Sequence, residues 1–219
     1  MTLLTEVQTL IRKEVLVEWR QKYAIGGILL YVISTVFIVY FSFSGIDAKA
    51  WNTLFWIIIL FASVNAVTKS FAQENSQREL YYYALARPSA ILLAKMIYNT
   101  LLLLLISGLS YIAFGILAID PVKNYHQFFL ALFLGSVGFS IAFTFISAIA
   151  GKAANSSTLM AILSFPAVIP ILMTLLKISA NALGLMTDTG IWKDIGILLA
   201  IDLIMLTLTF ILFPFLWRD

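Results

Sequence analysis

Apolar and polar positions fall in long blocks along this chain. Six apolar runs, at 24–43, 51–68, 92–118, 127–150, 158–177 and 194–216, each approach the ~20 residues that carry a helix across a bilayer core. Lipid-exposed irregular backbone is not tolerated at that depth, so each run is expected to be helical. Residues 1–22 follow another pattern. Leu4, Val7, Ile11, Val15 and Trp19 share one face, with Leu3 and Leu10 beside it, and Glu6, Arg12, Lys13, Arg20 and Gln21 fall mostly opposite. That is the pattern of a helix lying in the membrane interface; a helix packed on a soluble partner is the alternative.

The longest polar interruption runs from Lys69 to Lys95 and holds Glu74, Arg78, Glu79 and Arg87 between its ends. Within it Leu80, Tyr83 and Arg87 recur at helical spacing, as do Tyr81 and Leu85, so a short amphipathic helix is expected, stopped by Pro88. Its charged and aromatic face fits a partner protein, or equally a solvated loop with tyrosines at the headgroups. The other breaks are shorter: a turn at 44–50 with Gly45 and Asp47, a turn at 119–126 with Asp120, Pro121 and His126, and a turn at 151–157. Residues 178–193 are less polar and read as an interfacial or re-entrant helix through Ile178, Ala182, Leu183, Leu185 and Met186. No linker to a second domain appears, so residues 1–219 are read as a single transmembrane domain.

Composition strengthens this picture. Of 219 residues, 62% are hydrophobic and only 11% charged, against about 45–50% and about 25% in soluble domains. The chain is therefore read as an integral membrane protein. It lacks cysteine and has one histidine, which leaves no thiol nucleophile, disulfide or multi-histidine metal site. The basic residues set the orientation. With the N-terminus inside, ten lie in inner segments (Arg12, Lys13, Arg20, Lys22, Lys69, Arg78, Arg87, Lys95, Lys152, Arg218) and four in outer ones (Lys49, Lys123, Lys177, Lys193). The positive-inside rule then places both termini and the 69–95 segment in the cytoplasm.

Three features inside the spans bear on chemistry. Pro166 and Pro170 stand one turn apart in the fifth span; each removes a backbone donor, so the pair reads as a hinge or as a fixed kink. Asp202 lies about two turns inside the sixth span, where an ionisable group is costly and faces protein or water. It reads as a polar transport site, as the partner of a basic residue, or as a group nearer the interface. Gly135, Ser136, Gly138 and Ser140 in the fourth span read as close helix packing, and Asn65 and Asn99 as interhelical hydrogen bonds. No G-x-x-x-x-G-K-[ST], H-E-x-x-H or G-x-S-x-G sequence is present. The chain is therefore not expected to be an enzyme, and energy for transport must come from another polypeptide or an ion gradient. Acidic groups within the spans are sparse for an ion-coupled carrier.

The order of parts resembles the type 2 permeases of ABC transporters, and more narrowly the haem exporter protein B family of cytochrome c maturation. Four pieces carry the resemblance, which covers essentially the whole length. They are Phe71-Ala-Gln-Glu74; Leu80 with Leu85, Pro88 and Ala94-Lys95; Leu134-Gly135 with Gly138; and Leu163-x-x-Pro166-x-x-Ile169-Pro170. The family usually shows Gly-x-Leu-Glu where this chain has Arg78-Glu79-Leu80-Tyr81, so the second carboxylate is displaced or lost, with Glu79 its substitute. The resemblance implies an all-α permease of six spans with a cytoplasmic coupling helix between spans two and three. It assigns contact with a separate ATPase to Glu74, Arg78, Glu79, Leu80, Tyr83, Leu85, Arg87 and Pro88.

It also implies ATP on that partner subunit, a second copy of this chain, a haem-handling membrane protein, a periplasmic haem chaperone and residence in a bacterial inner membrane. Nucleic acid is not an expected partner. Members that handle haem directly carry a tryptophan-rich outer motif with axial histidines. Here Trp19, Trp51, Trp56, Trp192 and Trp217 are scattered and His126 is alone, so no haem ligand and no metal site is assigned. Export of a lipid or drug, or a scaffold without transport, are the rival functions.

Overall fold

The computed structural model describes residues 3–20, 22–42, 45–67, 87–117, 120–151, 156–186 and 190–218. Seven helices account for nearly all of them: α1 (Leu3–Arg20), α2 (Lys22–Ser42), α3 (Ala48–Val67), α4 (Pro88–Leu117), α5 (Tyr125–Gly151), α6 (Ser156–Ala182) and α7 (Ile191–Arg218). No strand occurs among the described residues. Helices α3 to α7 are each long and apolar enough to cross a membrane, and α2 carries a shorter apolar stretch, Gly26–Ser42. The 30 residues of α4 make a rod of about 45 Å, longer than the roughly 30 Å hydrocarbon core. Its charged first turns therefore lie at one end of the bundle.

Local chemistry sets the helix ends. Asp47 caps α3: its carboxylate accepts from the Ala50 amide at 3.1 Å and its carbonyl from the Trp51 amide at 2.9 Å. Asn124 does the same for α5, accepting from Gln127 and Phe128. Such caps satisfy amides that the first helical turn leaves unpaired. The α5 helix therefore starts at Tyr125, and His126 sits in its first turn rather than in the preceding loop. Pro88 opens α4 instead of only ending what precedes it; a first helical position suits proline because no amide is needed there.

Among the described residues of 178–193 the separate interfacial or re-entrant helix expected does not occur. Ile178 and Ala182 belong to α6 and are buried, and the chain then turns at Gly184, with φ of 72°. The Leu185 amide bonds the Ala180 carbonyl and the Gly184 amide that of Asn181, a Schellman end that needs glycine in the left-handed region. The Lys123 and Asn124 amides bond the Ala182 carbonyl at 3.1 and 2.9 Å. Apolar composition suggests a membrane-surface element; the backbone uses the same residues to finish a long helix and to hold the neighbouring loop.

Helix α5 is the centre of the bundle and packs on α3, α4, α6 and α7. Hydrocarbon gives helices no hydrophobic reason to associate, so close approach and hydrogen bonds must hold them. Gly135 supplies the approach: a methyl group there would lie 2.9 Å from Leu175 of α6 and 3.1 Å from Trp56 of α3. The expected packing role of small residues in this span matches that arrangement. Between α3 and α6, the Trp56 indole donates to Ser179 Oγ at 2.8 Å. The Ser179 hydroxyl lies 2.7 Å from Asn52 Oδ1, and Asn52 Nδ2 donates to the Leu176 carbonyl at 3.0 Å. Beside this network Trp51 stacks on Phe55 at 5.1 Å, with Phe114 and Phe128 packed around them. Ser179→Ala should leave the Trp56 indole unpaired and lower stability by about 0.6–1.7 kcal/mol, the range for membrane hydrogen bonds. Unfolding of the purified variant in detergent measures this.

Candidate functional site

The coupling residues Glu74, Arg78, Glu79, Leu80, Tyr83 and Leu85 lie outside the described residues. Of that set the structure places Arg87 and Pro88, where the chain enters α4. The Arg87 carbonyl accepts from the Ala90 and Ile91 amides at 3.0 and 3.2 Å, and its side chain is exposed toward α1. Arg87 Nε lies 4.0 Å from Glu6 Oε1. Further along, Lys95 Nζ meets Glu14 Oε1 at 3.5 Å, and Lys13 Nζ meets the same oxygen at 3.1 Å. Tyr98 faces Glu18 closely enough for the carboxylate to act on its hydroxyl. Between these contacts Val7 packs against Ala90 and Ala94, all three buried.

The apolar pattern of the N-terminal helix does not predict this polar seam. It groups Leu4, Val7, Ile11 and Val15 on one face for the membrane interface, with Glu6 mostly opposite. Val7 and Ile11 of that face do pack at α4, joined by Leu3, Leu10, Glu6 and Glu14, while Leu4 and Val15 are exposed at 77% and 45%. Hydrocarbon, not protein, suits that exposed apolar flank, which fits an interfacial position. The missed signal is a matched spacing. Glu6, Glu14 and Glu18 recur on one helical face, and Arg87, Lys95 and Tyr98 recur at nearly the same intervals on another. Lys95 is only 2% exposed, and a charge so buried is tolerated only with a partner.

Asp202 lies inside the bundle, 6% exposed, on α7. Neither carboxylate oxygen has a hydrogen-bond partner among the described residues. It is therefore not the ion-pair partner of a described basic residue, and it is not at the surface. Its neighbour is Gly138 of α5: a methyl group on that glycine would stand 2.5 Å from Asp202 Oδ1. Ionisable groups held this deep in a span face protein or water and commonly mark function. Nearby, Asn99 of α4 donates to Thr144 Oγ1 at 2.8 Å and the Ser140 hydroxyl to the Met96 carbonyl at 2.8 Å. The interhelical role expected of Asn99 matches that bond. Asn65 differs, donating to the Phe61 carbonyl of its own helix, because its side chain is exposed and finds only its own turn.

Pro166 and Pro170 lie on the outward side of α6, which continues as a helix through both. The Thr174 hydroxyl donates to the Pro170 carbonyl at 2.8 Å. Beside them an apolar groove of about 350 Å³ runs between Leu60, Phe61 and Val64 of α3 and Phe165, Val168, Ile169 and Leu172 of α6. At the opposite end of the bundle from α1, Asp120 accepts from the Tyr111 and Tyr125 hydroxyls at 2.6 and 3.2 Å and from the Val122 amide at 3.0 Å. His126 is exposed beside this loop.

Long apolar helices with buried polar contacts and a charged seam at one end define a multi-pass helical membrane protein. Its family follows from sequence comparison: the model described as CcmB protein matches residues 5–216, and the chain belongs to that family, the haem exporter protein B family. Membership makes it a membrane component of haem export for cytochrome c maturation, a permease component and not a catalytic enzyme. It is a multi-pass inner-membrane protein that works with other components of that system. No curated protein matches, and no solved structure matches.

The contact between Gly138 and Asp202 is directly testable. Gly138→Ala forces the carboxylate aside and should cost about 1–3 kcal/mol of stability, the usual cost of overpacking. Adding Asp202→Ala should recover most of that loss, as a non-additive pair in contact does. Unfolding measurements on the two single variants and the double variant give the coupling.

Proposed function

We propose that this chain is the six-span permease subunit of an ABC transporter complex, acting in haem export or haem-chaperone release for cytochrome c biogenesis. The family match over residues 5–216 carries the reading. Counting α2, whose 21 residues reach span length, with the five longer helices supports six crossings. The bias of ten basic residues against four supports both termini in the cytoplasm. The chain has no phosphate-binding loop of its own, so ATP belongs to a partner ATPase docked on the 69–95 segment.

In this reading Glu74, Arg78, Glu79 and Arg87 supply charge for partner choice and register, and Leu80, Tyr83 and Leu85 supply contact area, beside Pro88. The prolines of α6 shape a moving wall, and Asp202 is a polar point within the bundle. A second copy of the chain, a haem-handling membrane protein and a periplasmic haem chaperone complete the assembly. Haem is the cargo handled by the complex, and this chain supplies no ligand to it. His126→Ala should therefore retain cytochrome c maturation.

Reporter fusions after Asp219 and within 119–126 should report opposite sides of the membrane; the same side for both removes the six-span topology. Glu74→Lys should lose ATPase docking or coupling more severely than Glu74→Ala, because it adds an unpaired cation, while membrane abundance stays normal. Pull-down of the ATPase and cytochrome c yield at matched abundance measure it. Wild-type results in both Glu74→Lys and Glu74→Lys/Glu79→Lys would remove the segment as the coupling element.

A further inference from the structure

The contacts between α1 and α4 come in register. Glu6 meets Arg87, Glu14 meets Lys95 and Glu18 meets Tyr98. The pairs ascend together in both helices, so α1 runs parallel to about the first three turns of α4. Val7 sits buried against Ala90 and Ala94 between the first and second pairs. Small residues at those two positions allow the backbones to approach closely. A slip of one turn loses at least two of the three contacts: one direction sets Leu10 beside the buried Lys95, and the other sets Glu18 there but leaves Arg87 and Tyr98 without a carboxylate. The seam thus has one favourable register.

Its two ends lead in informative directions. Arg87 is the last residue of the polar segment assigned above to ATPase contact. At its other end α1 reaches Arg20, and α2 begins at Lys22 after a single residue. Helix α2 packs on α3 and α4 along one side. Its other side is open, with Leu30, Ile33, Phe37 and Phe41 exposed.

We propose that α1 and the first turns of α4 form one rigid unit, keyed by the Glu6–Arg87, Glu14–Lys95 and Glu18–Tyr98 contacts, which carries displacement of the segment ending at Arg87 to α2. Glu6, Glu14 and Glu18 are its positioning residues. The inference rests on the coupling role of residues 69–95. It gives the N-terminal helix a mechanical task that lying in the membrane interface does not require.

The chain has no cysteine, so an introduced pair reports without background. Val7→Cys/Ala90→Cys should cross-link readily in membranes, and the cross-linked permease should keep ATPase stimulation and cytochrome c yield, because a rigid unit loses nothing when locked. Adding Glu14→Lys to the cysteine pair should slow cross-linking about tenfold, since it sets a third cation beside Lys13 and Lys95. Without the cysteines, Glu14→Lys should uncouple the ATPase while leaving it bound. Glu14→Lys/Lys95→Glu should restore both properties, which a loss of general stability would not do.

Two results overturn the rigid unit itself. One is a cross-linked permease that binds the ATPase but no longer functions, which shows that α1 moves against α4. The other is wild-type cross-linking in the Glu14→Lys background. Failure of the wild-type chain to retain any ATPase overturns the coupling reading and the transmission with it. Cross-linking in the chain alone still decides separately whether the rigid unit exists.

Discussion

Hydrocarbon offers no hydrogen bond to a buried polar group, and this constraint governs how the bundle is held together. Apolar side chains are as well solvated by lipid as by one another, so they do not choose partners. Choice falls to the few places where helices approach closely or exchange a hydrogen bond. Gly135 lets α5 meet Leu175 and Trp56. Asn52 and Ser179 tie α3 to α6, and Asn99 with Thr144 ties α4 to α5. Many remaining hydroxyls bond a carbonyl one turn back on their own helix, as Ser63, Ser110 and Ser136 do, which silences them within the membrane.

The two ends of the bundle differ in kind. At one end aromatic rings interlock around Trp51, and the Lys123–Asn124 backbone bonds the end of α6. That end is cross-braced through several helices. At the other end α1 lies along α4 through the Glu6–Arg87 and Glu14–Lys95 ion pairs and the buried patch of Val7, Ala90 and Ala94. Buried charged pairs fix register more surely than they add stability. A cross-braced end and a keyed end suit a permease driven from one side. The proposed coupling role of residues 69–95 would set the driving partner at the keyed end, where that segment enters α4.

Much of the fold is legible because membrane helices are written in blocks of composition. The five longer spans fall within a few residues of the apolar runs. The prolines, small residues and Asp202 stand out because each violates a simple apolar pattern. The register of α1 is less legible. An apolar stripe on a helix is ordinarily its packed side. Here Leu4 and Val15 of that stripe are exposed, while Val7 and Ile11 pack on α4 together with Leu3, Leu10 and the carboxylates of Glu6 and Glu14, so the pattern alone turns Glu6 the wrong way. Residues 178–186 mislead for a related reason: an apolar segment near the interface and the last turns of a long helix have the same composition, and only the Gly184 turn separates them. Burial of Asp202 is readable from its position, but Gly138 as its neighbour is not, since contact between α5 and α7 leaves no mark in local spacing.

The most direct test of the account is covalent haem attachment to a reporter c-type cytochrome in cells lacking this chain. Attachment should be lost and should return when the wild-type chain is supplied, but not when it is supplied with a partner ATPase that cannot hydrolyse ATP. Normal attachment without the chain, or full rescue alongside the inactive ATPase, would contradict it.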